Sequence, residues 1–298
     1  MIHQILSCFK SIINPSKLKI VIAIDSRGKM PFLQDHIYLS KKYSSLQICF
    51  HQGLKPGKSN AQSTFAMTIN NTDEMVLLND LDCDININSE KNFDDITSNK
   101  SDCIVFPVEF VNSNNQKSLY FGLENYLRKL EAYFGCCFTG SGQILITRIK
   151  VLRLLPDDVG DDCFLPLYSQ LYCRGTNFSD YFIGCDSGFE SYKKSKNGRS
   201  RMIIRNLPYT FYSMCVAFYK FRVLLFLFIF IHKIFRWIFS MIFPIIISLI
   251  SIYYFKSYFI LFLSCLLVSR KFHSILGAYF GLLNGFCSAC LGTRITHY

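Results

Sequence analysis

Met75-Val76-Leu77-Leu78-Asn79-Asp80-Leu81-Asp82 is an apolar run that ends in two carboxylates one residue apart. The run predicts a buried strand, so both carboxylates would lie at the carboxyl edge of a sheet, where the ligands of open α/β sheets bind. Alternation along an extended segment would point Asp80 and Asp82 to the same side. Two hard oxygen ligands at that edge suit Mg²⁺ or Mn²⁺ carrying a diphosphate. A solvated strand end is the alternative interpretation.

Strands and helices are expected to alternate on both sides of this run. Leu18–Ile24 is an apolar, β-branched segment that ends at Asp25, which indicates another buried strand. The remaining expectations are strands near 46–50, 103–110 and 143–147, helices at 59–69, 119–134 and 163–173, and a surface loop or short helix at 84–101. This alternation predicts an α/β domain with a mostly parallel sheet.

Lys58 lies at the end of a loop that contains Gly and Pro, Gly53-Leu54-Lys55-Pro56-Gly57-Lys58. The loop is not a nucleoside-triphosphatase P-loop, because that motif would need Gly in place of Gln52. Backbone N–H groups and an ammonium group before a helix can nevertheless hold phosphate oxygens. Lys58 is therefore a candidate phosphate ligand, and an ordinary turn with a solvated lysine is the alternative.

Two later segments are candidates for the place where chemistry occurs. Thr139-Gly140-Ser141-Gly142 predicts a turn whose backbone is approached closely by another group. Gly160-Asp161-Asp162 precedes an apolar helix, so a carboxylate there could serve as a general base on a helix tip inside a cleft. One of these aspartates could instead simply be the N-cap of that helix.

The C-terminal third differs from the rest in charge and hydropathy. All 21 Asp and Glu lie at or before Glu190, whereas 14 of the 32 Lys and Arg follow it. Residues 207–236 are aromatic and apolar but basic, which predicts an interfacial amphipathic helix. Residues 237–255 are uncharged and long enough to span a bilayer. We therefore expect two or three transmembrane helices over 237–298 and a multi-pass protein of the cell or inner membrane, with residues 1–206 as a cytoplasmic domain.

Arg199 and Arg201 lie in a basic run, Lys193 to Arg205, just before these apolar segments. A basic run beside a membrane segment attracts anionic lipid. Arginines held near a nucleotide would instead bind its diphosphate. The sequence leaves both interpretations open.

The order of these motifs resembles glycosyltransferase family 2. The order is a strand ending in Asp25-Ser26, then Gly-Lys-Ser-Asn-Ala, Asp-x-Asp, Thr-Gly-Ser-Gly, Asp-Asp and an Arg-x-Arg run before apolar segments. Within that family the chain looks like the membrane-bound, polysaccharide-synthase-like members. The resemblance implies a Rossmann-like GT-A domain that transfers a sugar from a nucleotide donor with inversion.

The resemblance also implies a role for each matching residue. Asp25 would contact the base or ribose, and Lys58 would lie near the nucleotide. Asp80 and Asp82 would form the Asp-x-Asp motif that holds Mg²⁺ or Mn²⁺. Asp162 would be the catalytic base, Gly140, Ser141 and Gly142 would border the acceptor channel, and Arg199 and Arg201 would bind the donor.

The chain departs from the family pattern at two places. It begins in the helix that should follow the family's first strand, so we expect a chain truncated at its N-terminus that lacks a central strand. Gly198 and Met202 stand where the Gln-x-x-Arg-Trp motif has Gln and Trp. The alternative hypothesis is therefore a catalytically inactive remnant that acts as a membrane or assembly protein.

The expected partners follow from the same resemblance. They are a nucleotide sugar, with a UDP-sugar favoured, a glycan or lipid-linked acceptor, and the lipid bilayer. No nucleic acid partner is expected.

Overall fold

The structure is a computed structural model that describes residues 19–27, 38, 41–42, 47–80, 83–88, 96, 100–110, 115–186, 192–239, 242, 246, 249, 253, 280 and 283–291. The chain divides into two compact units after residue 188. In the described part, the first unit is mixed α/β and the second is helical.

The first unit contains the predicted strands and helices. Its strands are β1 (Lys19–Ile24), β2 (Gln47–Gln52), β3 (Met75–Asn79), β4 (Asp84–Ile87), β5 (Cys103–Val105), β6 (Val108–Phe110), β7 (Ile144–Arg148), β8 (Thr176–Phe178) and β9 (Phe182–Asp186). Its helices are α1 (Lys58–Met67), α2 (Asn115–Tyr133), α3 (Ile149–Leu152) and α4 (Asp161–Tyr172). The predictions of β1, β2, β3, β7, α1, α2 and α4 are confirmed to within a few residues.

Two expectations about strands were wrong in detail. The single strand expected at 103–110 is two strands, β5 and β6, interrupted by Phe106 and Pro107. Proline has no N–H group to donate to a neighbouring strand, so it interrupts the ladder. The loop expected after residue 84 begins with strand β4, where buried Ile85 lies between exposed Asp84 and Asn86. This alternation is typical of a half-buried strand.

The described strands form three separate sheets, one parallel and two mixed, rather than one mostly parallel sheet. β1 pairs with β2 in parallel, the order β3-β7-β5-β8 forms a second sheet, and β4-β9-β6 forms a third. β7 runs antiparallel to both β3 and β5, whereas β8 runs parallel to β5. The prediction of a mostly parallel sheet was therefore wrong, because the direction of β7 depends on its long-range pairing and not on its own residues.

A hydrophobic core joins the second and third sheets. It comprises the buried residues Ile85, Ile96, Ile104, Phe106, Ile144, Ile146, Tyr181 and Phe182, with Met75, Leu77 and Ile87 packed against them. Helix α1 packs separately against β1 and β2 and also against α3. Its first turn lies beside the carboxyl ends of β1 and β3, because Gly57 bonds to Asp25 and Lys58 pairs with Asp80.

The described residues of the second unit are mainly helical, and their helices are interrupted between Tyr219 and Val223. Helix α5 (Tyr192–Tyr219) contains Pro208, and helix α6 (Val223–Ile229) is followed by a π-helical segment, Phe230–Phe235. Phe221, between the two helices, has φ of 55°, so the chain changes direction there. Residues 207–236 therefore do not form one continuous amphipathic helix.

The structure contradicts the prediction of C-terminal transmembrane helices. Among the described residues no helix combines the length and the apolar character that crossing a bilayer requires. Helix α5 is 28 residues long but contains several Lys and Arg, and the apolar helix α6 has seven residues. Most of 237–298, where the transmembrane helices were expected, lies outside the described residues. The described residues form a mixed α/β fold that contains no such helix, and this finding contradicts the predicted multi-pass membrane localisation.

Candidate functional site

The side chain of Lys58 is the centre of the candidate site. Lys58 is the first residue of α1, directly after Gly57, whose φ of 119° a residue with a side chain rarely adopts. Its Nζ lies 2.5 Å from Oδ1 of Asp80 and 2.9 Å from Oδ2 of Asp161. The same atom donates to the carbonyl oxygen of Gly142 at 3.2 Å. Three segments far apart in the sequence thus meet at one ammonium group.

Asp80 is positioned by the end of strand β3. Its backbone N–H donates to the carbonyl of Gln143 at 2.9 Å, just before β7, and its own carbonyl accepts from Cys83 at 3.1 Å. Asp80 directly follows strand β3, as expected, and the structure also places it close to Lys58. Asp82 lies outside the described residues, so its predicted role as a metal ligand remains a prediction.

Asp25 approaches the same helix end from strand β1. Its Oδ2 accepts a hydrogen bond from the backbone N–H of Gly57 at 2.7 Å, and Arg27 forms an ion pair with it at 2.9 Å. The side-chain hydrogen bond from Arg27, aided by backbone N–H groups, holds the pKa of Asp25 well below its usual range despite partial desolvation. Asp25 is therefore ionised, and its carboxylate holds the loop before α1 in place through Gly57.

Asp161 is a member of the site that sequence reasoning missed. Its side chain is 9% exposed, and besides Lys58 it accepts a hydrogen bond from Nε2 of Gln62 at 3.0 Å. The N-cap of α4 is Gly160 and makes no side-chain cap bond, so both aspartates belong to the first helical turn. There they are favoured by the positive end of the helix dipole. A signal was present, because Gln62 lies about one turn after Lys58, on the helix predicted at 59–69.

Asp162 lies against the turn that contains Gly140 and Gly142. The N–H of Gly140 donates to the carbonyl of Asp162 at 3.0 Å. Gly142 has φ of 74°, and a methyl group there would lie 3.4 Å from Cβ of Asp162. The sequence predicted that another group approaches the backbone of this glycine turn closely, and in the structure that group is Asp162.

The glycine turn is held from two further sides. Ser141 Oγ donates to the carbonyl of Ile144 at 3.3 Å, which is a contact within the turn. Arg128 of α2, which is buried, donates from Nη2 to the carbonyl of Gly140 at 3.4 Å and pairs with Glu124 at 3.7 Å. The backbone of Gly140 is therefore fixed by both of its polar groups.

Hydrogen bonds also connect the first turn of α1 to the loop before α4. Ser59 Oγ donates to the carbonyl of Val159 at 2.9 Å, and Asn60 Nδ2 donates to Oδ1 of Asp157 at 2.9 Å. Oδ1 of Asn60 in turn accepts from the N–H of Lys55 at 2.7 Å. These bonds, together with that of Gln62 to Asp161, explain why buried polar residues occupy positions 59, 60 and 62 of α1.

The electrostatics of the site centre on Lys58. Burial lowers the pKa of its ammonium group, but the charges of Asp161 and Asp80 and their hydrogen bonds raise it more, so the net pKa is above the ordinary value. Lys58 is therefore a permanent cation near neutral pH. With two carboxylates beside it, this cluster carries net negative charge.

The oxygen ligands of the site fit a hard divalent cation only in part. Mg²⁺ commonly uses one or two carboxylates and takes its other ligands from water and substrate phosphates. Asp80 offers such a carboxylate, but its Oδ1 is engaged by Lys58. No group of three potential metal-ligating side chains occurs within the described residues.

Arg199 and Arg201 do not belong to the unit that contains this cluster. Both lie on helix α5 of the second unit. Arg201 is exposed, and the side chain of Arg199 lies outside the described part. Their predicted contact with the donor remains untested.

Comparison with known proteins identifies the fold. No family model matches the chain, and no curated protein matches it by sequence. Among solved structures it is similar to the mannosyltransferase PcManGT from Pyrobaculum calidifontis in complex with GDP-Man and Mn²⁺. The TM-score is 0.66 with 12% identity, over 98% of this chain and 84% of that chain. The chain therefore has a glycosyltransferase-like fold. Its membership of family 2 is not shown at this identity.

Proposed function

We propose that the chain is a glycosyltransferase that moves a sugar from a nucleotide sugar to a hydroxyl group of a glycan or lipid-linked acceptor. The observation that carries the proposal is the meeting of Lys58, Asp80 and the first turn of α4 at one site. The structural neighbour, which holds GDP-Man and Mn²⁺, supports a nucleotide sugar as the ligand class. Fold alone would not establish this activity, because one fold hosts many functions.

Each described residue has a physical role in the proposed reaction. Asp25 would contact the nucleoside, and Lys58 would neutralise the diphosphate that leaves with the electron pair of the broken glycosidic bond. Asp162 would take the proton from the acceptor hydroxyl, whose oxygen forms the new bond to the anomeric carbon with inversion. The turn from Gly140 to Gly142 would border the acceptor because it packs on Asp162.

A divalent cation is part of the proposal. Asp80, together with Asp82 by its place in the sequence, would hold Mg²⁺ or Mn²⁺. When bound, such an ion neutralises charge that develops on the diphosphate. The exposed Arg201 and its neighbour Arg199 are proposed as additional anion-binding groups on α5.

The test is a transfer and donor-hydrolysis assay on the purified full chain with Mn²⁺ and a panel of GDP- and UDP-sugars. Asp162→Asn should lower kcat by about 10²–10⁴-fold, the usual contribution of a general base. Asp158→Asn is the matched control, because Asp158 is an exposed carboxylate in the preceding loop. No turnover of any donor by the wild-type chain would refute the proposal, and equal activity of the two variants would refute the role of Asp162.

A further inference from the structure

The ammonium group of Lys58 occupies a cradle of three oxygens. The cradle consists of Oδ1 of Asp80, Oδ2 of Asp161 and the carbonyl oxygen of Gly142, at 2.5, 2.9 and 3.2 Å from Nζ. Carboxylate and carbonyl oxygens are the ligands that hard cations prefer. The ammonium group of Lys58 therefore occupies a position whose surrounding oxygen atoms also suit a metal cation.

The two carboxylates of the cradle differ in burial. The side chain of Asp161 is 9% exposed and is also bonded to Gln62, whereas that of Asp80 is 32% exposed. Releasing the buried carboxylate from its counter-charge is more costly than releasing the exposed one. We therefore expect Lys58 to keep its ion pair with Asp161 and to give up its ion pair with Asp80 when another cation binds there.

A divalent cation at Asp80 must compete with this internal ammonium. Removing Lys58 from Asp80 without a substitute partner loses an ion pair and brings two cations close together. A diphosphate changes this balance, because some of its oxygens can accept hydrogen bonds from the ammonium group of Lys58 while others bind the metal. The metal and the nucleotide then each favour the binding of the other, as reciprocal coupling requires.

We propose that Lys58, which Asp161 keeps beside Asp80, competes with the divalent cation for Asp80. The metal therefore binds together with the nucleoside diphosphate and only weakly alone. This rests on the proposed function for the identity of the ligands. The competition between Lys58 and the metal is a property of the cradle itself. It makes Asp161 a positioning residue that acts through Lys58.

The experiment measures Mn²⁺ binding to the full chain by calorimetry and electron paramagnetic resonance, first without any nucleotide. Lys58→Met should tighten Mn²⁺ binding on the order of tenfold, since it removes a partly buried ion pair with Asp80. Lys55→Met is the matched control: Lys55 lies three residues away, pairs with Asp157 at 3.4 Å and is outside the cradle. The control should leave the Mn²⁺ affinity unchanged, and Asp80→Asn added to Lys58→Met should abolish the gain.

Mn²⁺ affinity that is equal or weaker in Lys58→Met overturns the inference, whether or not a nucleotide binds. Equal tightening in Lys58→Met and Lys55→Met also overturns it, because general charge would then be the cause. A second set of titrations adds GDP or UDP, and the enhancement of Mn²⁺ affinity by nucleotide should be smaller in Lys58→Met than in wild type. If neither nucleotide binds to either protein with Mn²⁺, the proposed function fails, while the first titration still decides the role of Lys58.

Discussion

The residues of the site are held by charge compensation and by glycine geometry. Asp161 is nearly buried, and a buried carboxylate without partners is unfavourable. Lys58 and Gln62 supply those partners. Gly142 lets the opposite turn approach Asp162 in a conformation that residues with a Cβ seldom adopt. Substitutions at this scale should therefore separate effects on stability from effects on the site.

Gly142→Ala should impair the site more than it destabilises the fold. The alanine must adopt φ of 74° and places its methyl group 3.4 Å from Cβ of Asp162. Gly135→Ala is the matched control, because Gly135 has φ of 65° but no neighbour within 4 Å of such a methyl group. Both should lose about 1 kcal/mol of unfolding free energy from backbone strain. Only Gly142→Ala should lower transfer activity, and equal activities would argue against contact between this turn and the base.

Asp25 should make the stability of the chain depend on acidic pH. Its folded pKa is lowered, chiefly by the side-chain hydrogen bond from Arg27, so it stabilises the fold above the unfolded pKa of about 3.9. This contribution is lost as the pH falls through that value toward the folded pKa. Denaturant unfolding over a series of pH values should show a smaller loss toward acid for Asp25→Asn than for wild type. Identical pH profiles of the two proteins would count against this account.

At the scale of the element, helix α1 connects the carboxyl ends of two sheets. Asp25 after β1 binds the N–H of Gly57, and Asp80 after β3 binds the side chain of Lys58. The other polar residues of its first turn are bonded to the loop before α4. The position of α1 along its own axis therefore controls where Lys58 lies.

Gly53→Ala should shift α1 and with it Lys58. A methyl group at Gly53 would lie 3.0 Å from Cα of Ala61, which is backbone and cannot rotate away. We expect a loss of about 1–3 kcal/mol in unfolding free energy, as for other overpacked positions, together with weaker nucleotide binding. Gly122→Ala on α2 is the control, since its methyl group would meet nothing within 4 Å and alanine favours helix. Unchanged stability of Gly53→Ala would contradict the close packing of α1.

At the scale of the whole molecule, the chain has two units with separate cores. The first has the sheet core around Ile104 and Ile146. The second has a small cluster of Ile234 and Trp237, against which Met202 and Phe286 pack. All cradle residues belong to the first unit. A change in the core of the second unit should therefore leave the cradle intact.

Gly285→Val should destabilise the second unit selectively. A methyl group at Gly285 would lie 2.8 Å from the carbonyl oxygen of Ser200 and 3.0 Å from Cβ of Ile203, so two helical segments must separate. Hydrogen exchange should accelerate around Ser200, with a cost of about 1–3 kcal/mol. Cys290→Ala is the control, because Cys290 is exposed on the same segment. Loss of Mn²⁺ affinity at the cradle in Gly285→Val would contradict this separation.

Local pattern was sufficient for the elements whose signal lies in neighbouring residues. The apolar run at β3 and the glycine loop before α1 correctly predicted a strand and a helix. Pattern failed for β4, where only four residues alternate, and for the direction of β7, which depends on partners distant in sequence. It also failed at the C-terminal third, where apolar composition alone suggested membrane helices that the described residues do not contain.

The choice of Asp162 as the candidate base came from the resemblance to the family. The sequence by itself determined the alternation of strands and helices and the carboxylate at the end of β3. These follow from periodicity and from residue types at the ends of elements, which are local properties. Only the tertiary structure decided that Asp161 shares Lys58 with Asp80 and that Gly142 completes the cradle. Residues 58, 80, 142 and 161 are far apart along the chain, and no local pattern specifies which distant carboxylate a given ammonium group will meet.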